Sequence, residues 1–142
     1  MLETKIFVYG TLMQNFRNYN KYLKGKITSI APAYIYGKLY HLGIHDCPAI
    51  IDGTDKVYGQ VLSFNDDSNQ SILNSVDRFE KYFFDSGEII YERKSVDVHY
   101  LDNSIERLSF YKLTNIDVLK NENTKYISSG NWKDYLENAK KR

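Results

Sequence analysis

A mixed, mostly antiparallel β-barrel flanked by a few helices, an α+β arrangement, is the fold this sequence predicts, and three observations predict it. Strand-like runs carry interior glycines, Gly37 within 33–42 and Gly59 within 57–64, at places where a sheet would have to bend. Helical patterns are few and short, and no regular helix separates one strand from the next, so neighbouring strands should pair antiparallel rather than through crossovers. Thirteen tyrosines among 142 residues agree with β-rich structure, because a large ring with a polar tip suits strands and half-buried walls.

Taken in order, Ile6-Phe7-Val8-Tyr9 is a run of β-branched and aromatic residues without alternation, the mark of a strand covered on both faces. It runs into Gly10-Thr11-Leu12, where the missing Cβ lets the chain turn and lets a ligand approach main-chain N–H groups. On this stretch alone a plain strand-end turn is the simpler account. A short helix is expected over 17–23 with Gly25 as its stop. Strand character returns from Lys26, and 33–42 is the longest run, followed by a loop over 43–48. Ala49-Ile50-Ile51 and 57–64, separated by the turn-forming Asp52-Gly53-Thr54-Asp55, read as two arms of a hairpin.

Asn65-Asp66-Asp67-Ser68 then supplies capping side chains, and Ile72, Leu73, Val76 and Phe79 form the apolar stripe of an amphipathic helix ending near Phe79 or Glu80. A turn is expected at Asp85-Ser86-Gly87. Alternation over 95–100 predicts a strand with Asp97 and His99 on the wet side, and Leu101-Asp102-Asn103-Ser104 turns it into a further strand over 108–113. Trp132, Tyr135, Leu136 and Ala139 make a closing helical stripe after a cap region at 128–131.

The length fits one domain over 1–142. A net charge of +1, from 19 basic and 18 acidic interspersed residues, lacks the electrostatic footprint that a nucleic-acid backbone demands. The Lys140-Lys141-Arg142 cluster complements a helix C-terminus. No apolar run approaches the about 18 residues of a membrane span, and Met1-Leu2-Glu3-Thr4 opens no apolar signal core. With a single cysteine, Cys47, a cytoplasmic protein without a membrane or nucleic-acid partner is expected.

Chemistry has few candidates. His41, His45 and Cys47 lie close together but match no closed zinc pattern, since no second ligand cluster follows. Cys47 has no sequence context that would activate a thiol, and His99 is more simply a surface residue. Neither a Walker-type loop nor a full dinucleotide fingerprint is present. Carboxylates remain: Asp77 and Glu80 stand near the end of the best helix beside Tyr82-Phe83-Phe84. An apolar cavity there would raise a carboxyl pKa toward neutrality and fit it for proton transfer. From the pattern alone a solvated helix end accounts for both acids, and Asp85, Glu88 and Glu92 are poorer candidates in turn or edge contexts.

Taken together, these pieces resemble the γ-glutamylcyclotransferase superfamily, in particular its small members related to γ-glutamylamine cyclotransferase. Phe7-Val8-Tyr9-Gly10-Thr11-Leu12 resembles the opening signature, and Pro48-Ala49 with Val57-Tyr58-Gly59-Gln60-Val61 the central hairpin. Asp77-Arg78-Phe79-Glu80 resembles the segment with the catalytic glutamate, Tyr91-Glu92-Arg93 with Val96 and Val98 the strand after it, and Gly130-Asn131-Trp132 with Tyr135 the closing segment.

The resemblance implies a barrel with a cavity at one end. Tyr9, Gly10, Thr11 and Leu12 would hold a γ-glutamyl group, Glu80 would act as general acid and base, and neither metal nor organic cofactor would take part. Lys81 stands where the family commonly has glycine, and Met13 where a basic residue is frequent; both leave the expected acid/base in place. The alternative is a non-catalytic module that holds a small carboxylate on the same fold. Neither the leaving amine nor the oligomeric state is written in the sequence.

Overall fold

Ile6, Phe7 and Val8 are all buried, as a strand without alternation requires when both of its faces are covered. They belong to β1 (Leu2–Val8), which runs antiparallel to the last part of β3 (Cys47–Asp66) from Leu2 opposite Asp66 to Val8 opposite Gln60. The computed structural model describes residues 2–10, 12–14, 16, 19–20, 23–42, 47–66, 70–82, 91–114, 116–120 and 123–140.

Among the described residues six strands form one sheet in the order β3-β1-β5-β4-β2-β6, where β2 is Ile27–Leu42, β4 Tyr91–Tyr100, β5 Ile105–Leu113 and β6 Thr124–Tyr126. A further pairing of β2 with β3 closes the first five into a barrel, which removes the exposed edges an open sheet would carry. Every pairing is antiparallel except that of β1 with β5. The barrel, flanked by two helices, is the predicted architecture.

Partners in register share a face of the sheet, which identifies the lumen. Phe7 faces Val61, Ile35 faces Val57, and Ala33 faces Gly59 and Tyr100. With Val98, the buried side chains of Phe7, Ala33, Ile35, Val57 and Val61 fill the interior. On the outer face of β2, Tyr34 stacks on His99 with centroids 5.1 Å apart and planes 8° from parallel, beside Tyr36 and Tyr58. Several of the tyrosines thus cover sheet surface, and His99 lies on the outer side as its alternation predicts.

One expectation is overturned. The stretches 49–51 and 57–64 are not the two arms of a hairpin but parts of one strand, β3, and both pair with β2. The register jumps from Gly37 opposite Asp55 to Lys38 opposite Ile51, so Asp52, Gly53 and Thr54 form a bulge rather than a reversal. A long neighbouring strand supplies partners for both stretches, and the turn-forming residues are used to bend the ribbon at Gly37. Of the loop expected over 43–48, Cys47 and Pro48 already belong to β3, and residues 43–46 lie outside the described residues.

Helix α1 (Ser71–Tyr82) packs on β4 and β3 through Leu73 and Val76. Its N-terminus is held by the buried Asp66, whose Oδ1 accepts from the Ile72 amide and Oδ2 from the Leu73 amide, both at 3.0 Å. A carboxylate placed across orphan amides at the positive end of the helix dipole is favourable on both counts. The helix extends to Tyr82, past the expected end near Glu80, since neither Lys81 nor Tyr82 opposes helical backbone.

Helix α2 (Trp132–Lys140) starts where Asn131 Oδ1 accepts from the Asp134 amide at 3.1 Å. Gly130 just before it takes φ of 67°, and a Cβ there would fall 1.9 Å from the Lys56 carbonyl oxygen. Only glycine meets both conditions. Sequence reading missed β6 and the 3-10 turn at Ile116–Lys120. Within the helix expected over 17–23, Tyr19 and Asn20 are helical and Gly25 follows at φ 86°, while residues 17, 18, 21 and 22 lie outside the described residues. The turn expected at 85–87 lies outside the described residues.

Candidate functional site

Tyr9, Gly10 and Leu12 follow β1 at one end of the barrel, and all three are buried. Tyr9 continues the lumen face of Phe7, and its hydroxyl donates to the Tyr111 carbonyl on β5 at 2.6 Å. Its phenol is thereby engaged with main chain. Gly10 lies under Pro48: a Cβ at this position would come within 2.3 Å of Pro48 Cγ. Its lack of a side chain is what allows the start of β3 to close over the loop.

The loop then turns back on itself. The Met13 amide donates to the Gly10 carbonyl at 3.0 Å, the Phe16 amide to the Met13 carbonyl at 3.1 Å, and the Gln14 amide to Gln60 Oε1 at 2.8 Å. Among the described residues the amides of Gly10 and Leu12 meet no acceptor. Leu12 and Met13 are buried. Thr11 lies outside the described residues.

Pro48 is itself held. Tyr91, at the start of β4, donates its hydroxyl to the Pro48 carbonyl at 2.8 Å and lies 3.4 Å from Cys47 Sγ. Sequence reading gave Pro48 and Tyr91 no role; the signal was a proline at a strand start followed, in a strand paired elsewhere, by a tyrosine. Glu80 belongs by its backbone to the last turn of α1, which packs on β4. The side chains of residues 77–82, Asp77 and Glu80 included, lie outside the described residues.

His41 and Cys47 are engaged in packing. His41 Nδ1 and the Tyr135 hydroxyl share a hydrogen bond of 2.6 Å, and the His41 ring meets Trp132 edge-on. His45 lies outside the described residues. Among the described residues no group of three or more His, Cys, Asp or Glu is placed to hold a metal, and no helix is long and apolar enough to cross a membrane.

Two concavities lined by described residues lie away from Tyr9, Gly10 and Leu12. One, of about 420 Å³, lies against Leu113 and Thr114 at the same end of the barrel as the loop, with Lys112 paired to Asp52 at 2.7 Å. The other, of about 460 Å³, opens at the opposite end. There Lys5, in register with the buried Ser63, approaches Glu106 at 3.5 Å, and the Tyr100 hydroxyl donates to the same Glu106 oxygen at 2.6 Å. Burial first, and Glu106 second, push the Tyr100 phenol well above its ordinary range.

A sequence profile of the family described as Gamma-glutamyl cyclotransferase, AIG2-like matches residues 6–134. Among solved structures, YkqA from Bacillus subtilis superposes with a TM-score of 0.68 at 22% identity over 99% of this chain. The chain spans 44% of YkqA's length. An AIG2-like protein from Mus musculus gives a TM-score of 0.60 at 22% identity, over 79% of this chain and 78% of that one. An uncharacterized protein from Pyrococcus horikoshii gives 0.61 at 18% identity, over 98% of both chains. At these identities the structures speak for the fold. No curated protein matches the chain in sequence.

Proposed function

We propose a reaction from a premise already secured: the chain belongs to the Gamma-glutamyl cyclotransferase, AIG2-like family. The reaction is cyclisation of a γ-glutamyl group to 5-oxoproline with release of an amine or amino acid, carried out by a single cytoplasmic domain without a cofactor. The observation that supports it beyond membership is the loop after β1, where among the described residues the Gly10 and Leu12 amides meet no acceptor while the amides of Met13 and Gln14 are engaged within the protein.

A γ-glutamyl compound contains its own nucleophile. Its α-amine can close a five-membered ring on the γ-carbonyl carbon, so the protein has only to orient the chain and move protons. At neutral pH the amine is mostly an ammonium ion and cannot attack. Glu80 as carboxylate takes that proton; the nitrogen adds to the carbonyl carbon and gives up its second surplus proton to solvent; the bond to the departing nitrogen breaks as Glu80 returns its proton to it, and the released amine takes up a further proton from solvent. No water is consumed, and Glu80 ends as it began. General acid/base help of this kind is worth about 10²- to 10⁴-fold.

The loop's part is orientation. Amides of Gly10 and Leu12 would hold the α-carboxylate or the carbonyl oxygen, and a donor on the developing oxyanion adds about 3–4 kcal/mol of transition-state stabilisation. Tyr9 serves the loop from behind, since its hydroxyl is spent on Tyr111. Thr11 is proposed to complete the same substrate contact.

The test is incubation of the pure protein with γ-glutamyl amino acids and γ-glutamyl-ε-lysine, followed by assay for 5-oxoproline. Product is expected from at least one, and Glu80→Gln should abolish it while the fold persists. Stabilisation by these ligands with no product at high enzyme would sink the enzymatic reading in favour of a binding module. Full activity in Glu80→Gln would remove Glu80 from the role.

A further inference from the structure

The loop after β1 is fixed from two sides by one hairpin. Tyr111 on β5 accepts the Tyr9 hydroxyl through its carbonyl at 2.6 Å. Tyr91 on β4 reaches the other side through Pro48, whose carbonyl it holds at 2.8 Å. The two ties are neighbours on the hairpin, because Tyr91 is in register with Leu113 and Arg93 with Tyr111.

Pro48 suits the part it plays. It has no N–H to anchor it in a ladder, so its carbonyl is the one main-chain group through which a hydrogen bond can set its position. Its ring atoms Cγ, Cδ and Cβ lie 2.3, 3.3 and 3.5 Å from the point where a Gly10 Cβ would be. The ring therefore occupies the space of the side chain that Gly10 lacks, and any shift of Pro48 is felt by the loop.

We propose that Tyr91 is a positioning residue for the substrate loop, acting through the Pro48 carbonyl and the Pro48 ring on Gly10. The hydroxyl donates its hydrogen bond to the Pro48 carbonyl. Its bond holds Pro48 down, Pro48 holds Gly10, and the Gly10 carbonyl in turn accepts from the Met13 amide. Tyr91 is almost wholly buried, at 5% exposure, so water does not readily replace the lost donor.

The kinetic part of the test rests on the cyclotransferase reading. Tyr91→Phe keeps the ring and removes the hydroxyl; it should raise KM about fivefold to tenfold, the worth of one hydrogen bond, with kcat changed much less. A fall in kcat with KM unchanged would overturn the assignment. The structural part stands without that reading. Hydrogen exchange at the Met13 amide should quicken in Tyr91→Phe more than at core amides such as those of Val57 and Leu62. Equal acceleration everywhere would show a merely structural role and overturn the proposal.

A second pair of variants guards against misfolding of the first. Gly10→Ala should loosen the loop by the same exchange measure, and Gly10→Ala combined with Pro48→Ala should recover part of the protection, because the new methyl enters the space the ring leaves. Failure of Pro48→Ala to relieve Gly10→Ala would overturn the ring contact on which the relay depends. Absence of 5-oxoproline from wild-type protein would refute the reaction while leaving the exchange results to decide on Tyr91.

Discussion

The two ends of the barrel are built on different principles. At the end where β1 stops, buried neutral groups hold the chain: Tyr9 to the Tyr111 carbonyl, Tyr91 to the Pro48 carbonyl, and a proline ring on a glycine. At the end where β1 starts, the same lumen face ends in Lys5, Ser63, Tyr100 and Glu106 around an open concavity. Contacts of the first kind fix geometry, since the groups are buried and little water is at hand to replace a lost partner. Those of the second kind exchange readily with solvent. The difference separates the contacts that hold the loop after β1 still from those that close the barrel in water.

Substitution at Gly10 should break the first end most severely. Gly10→Ala drives a methyl into the Pro48 ring and should cost about 1–3 kcal/mol, read as a lowered urea midpoint together with loss of any cyclising activity. Wild-type stability in this variant would show that the ring contact is loose and the contrast unfounded. Tyr9→Phe, which leaves the Tyr111 carbonyl without its buried donor, should cost about 1–2 kcal/mol in the same measurement.

The opposite end should yield little. In the Lys5–Glu106 pair the side chains are 34% and 40% exposed, so Glu106→Gln should cost about 0–1 kcal/mol and most of that effect should vanish in high salt. A loss as large as that of Tyr9→Phe would overturn the comparison. The smallest effect concerns alkaline stability. The Tyr100 phenol is raised above its unfolded value of 10.0 by burial and then by Glu106. Its contribution is therefore complete below that value and is lost as pH rises, because the unfolded chain gives up the proton first. Tyr100→Phe should remove this part of the alkaline decline, seen as a shallower fall in urea midpoint above about pH 10.

What sequence could reveal follows from how local each cause is. The strand at Ile6-Phe7-Val8, the bend at Gly37 and the turn at 101–104 are dictated by residues close in the chain, and each is where it was expected. So is the capping role of Asp66, although it acts from the end of a strand. The fate of Asp52-Gly53-Thr54 depended on β2, a partner that local turn chemistry does not see. Likewise Pro48 and Tyr91 are 43 residues apart and meet only because the barrel closes. The chain turn of the loop after β1 was legible from Gly10, whereas the bond from the Tyr9 hydroxyl to the Tyr111 carbonyl was not. The pairing of that loop with Glu80 remains the proposal on which the reaction rests.

The parallel seam between β1 and β5 has a kinetic consequence. Among the described residues their ladder is represented by Ile6 opposite Ser109, and the Tyr9 hydroxyl crosses the same seam over 102 positions of sequence. Hairpins such as β4–β5 close short loops and can form early, whereas this ladder needs almost the whole chain in place before it repays the entropy of closure. The seam is therefore a late event in folding, and the loop that hangs from it takes its shape last. A chain with native-like hairpins but an open seam would already show β-structure while the loop after β1 still lacked its native shape.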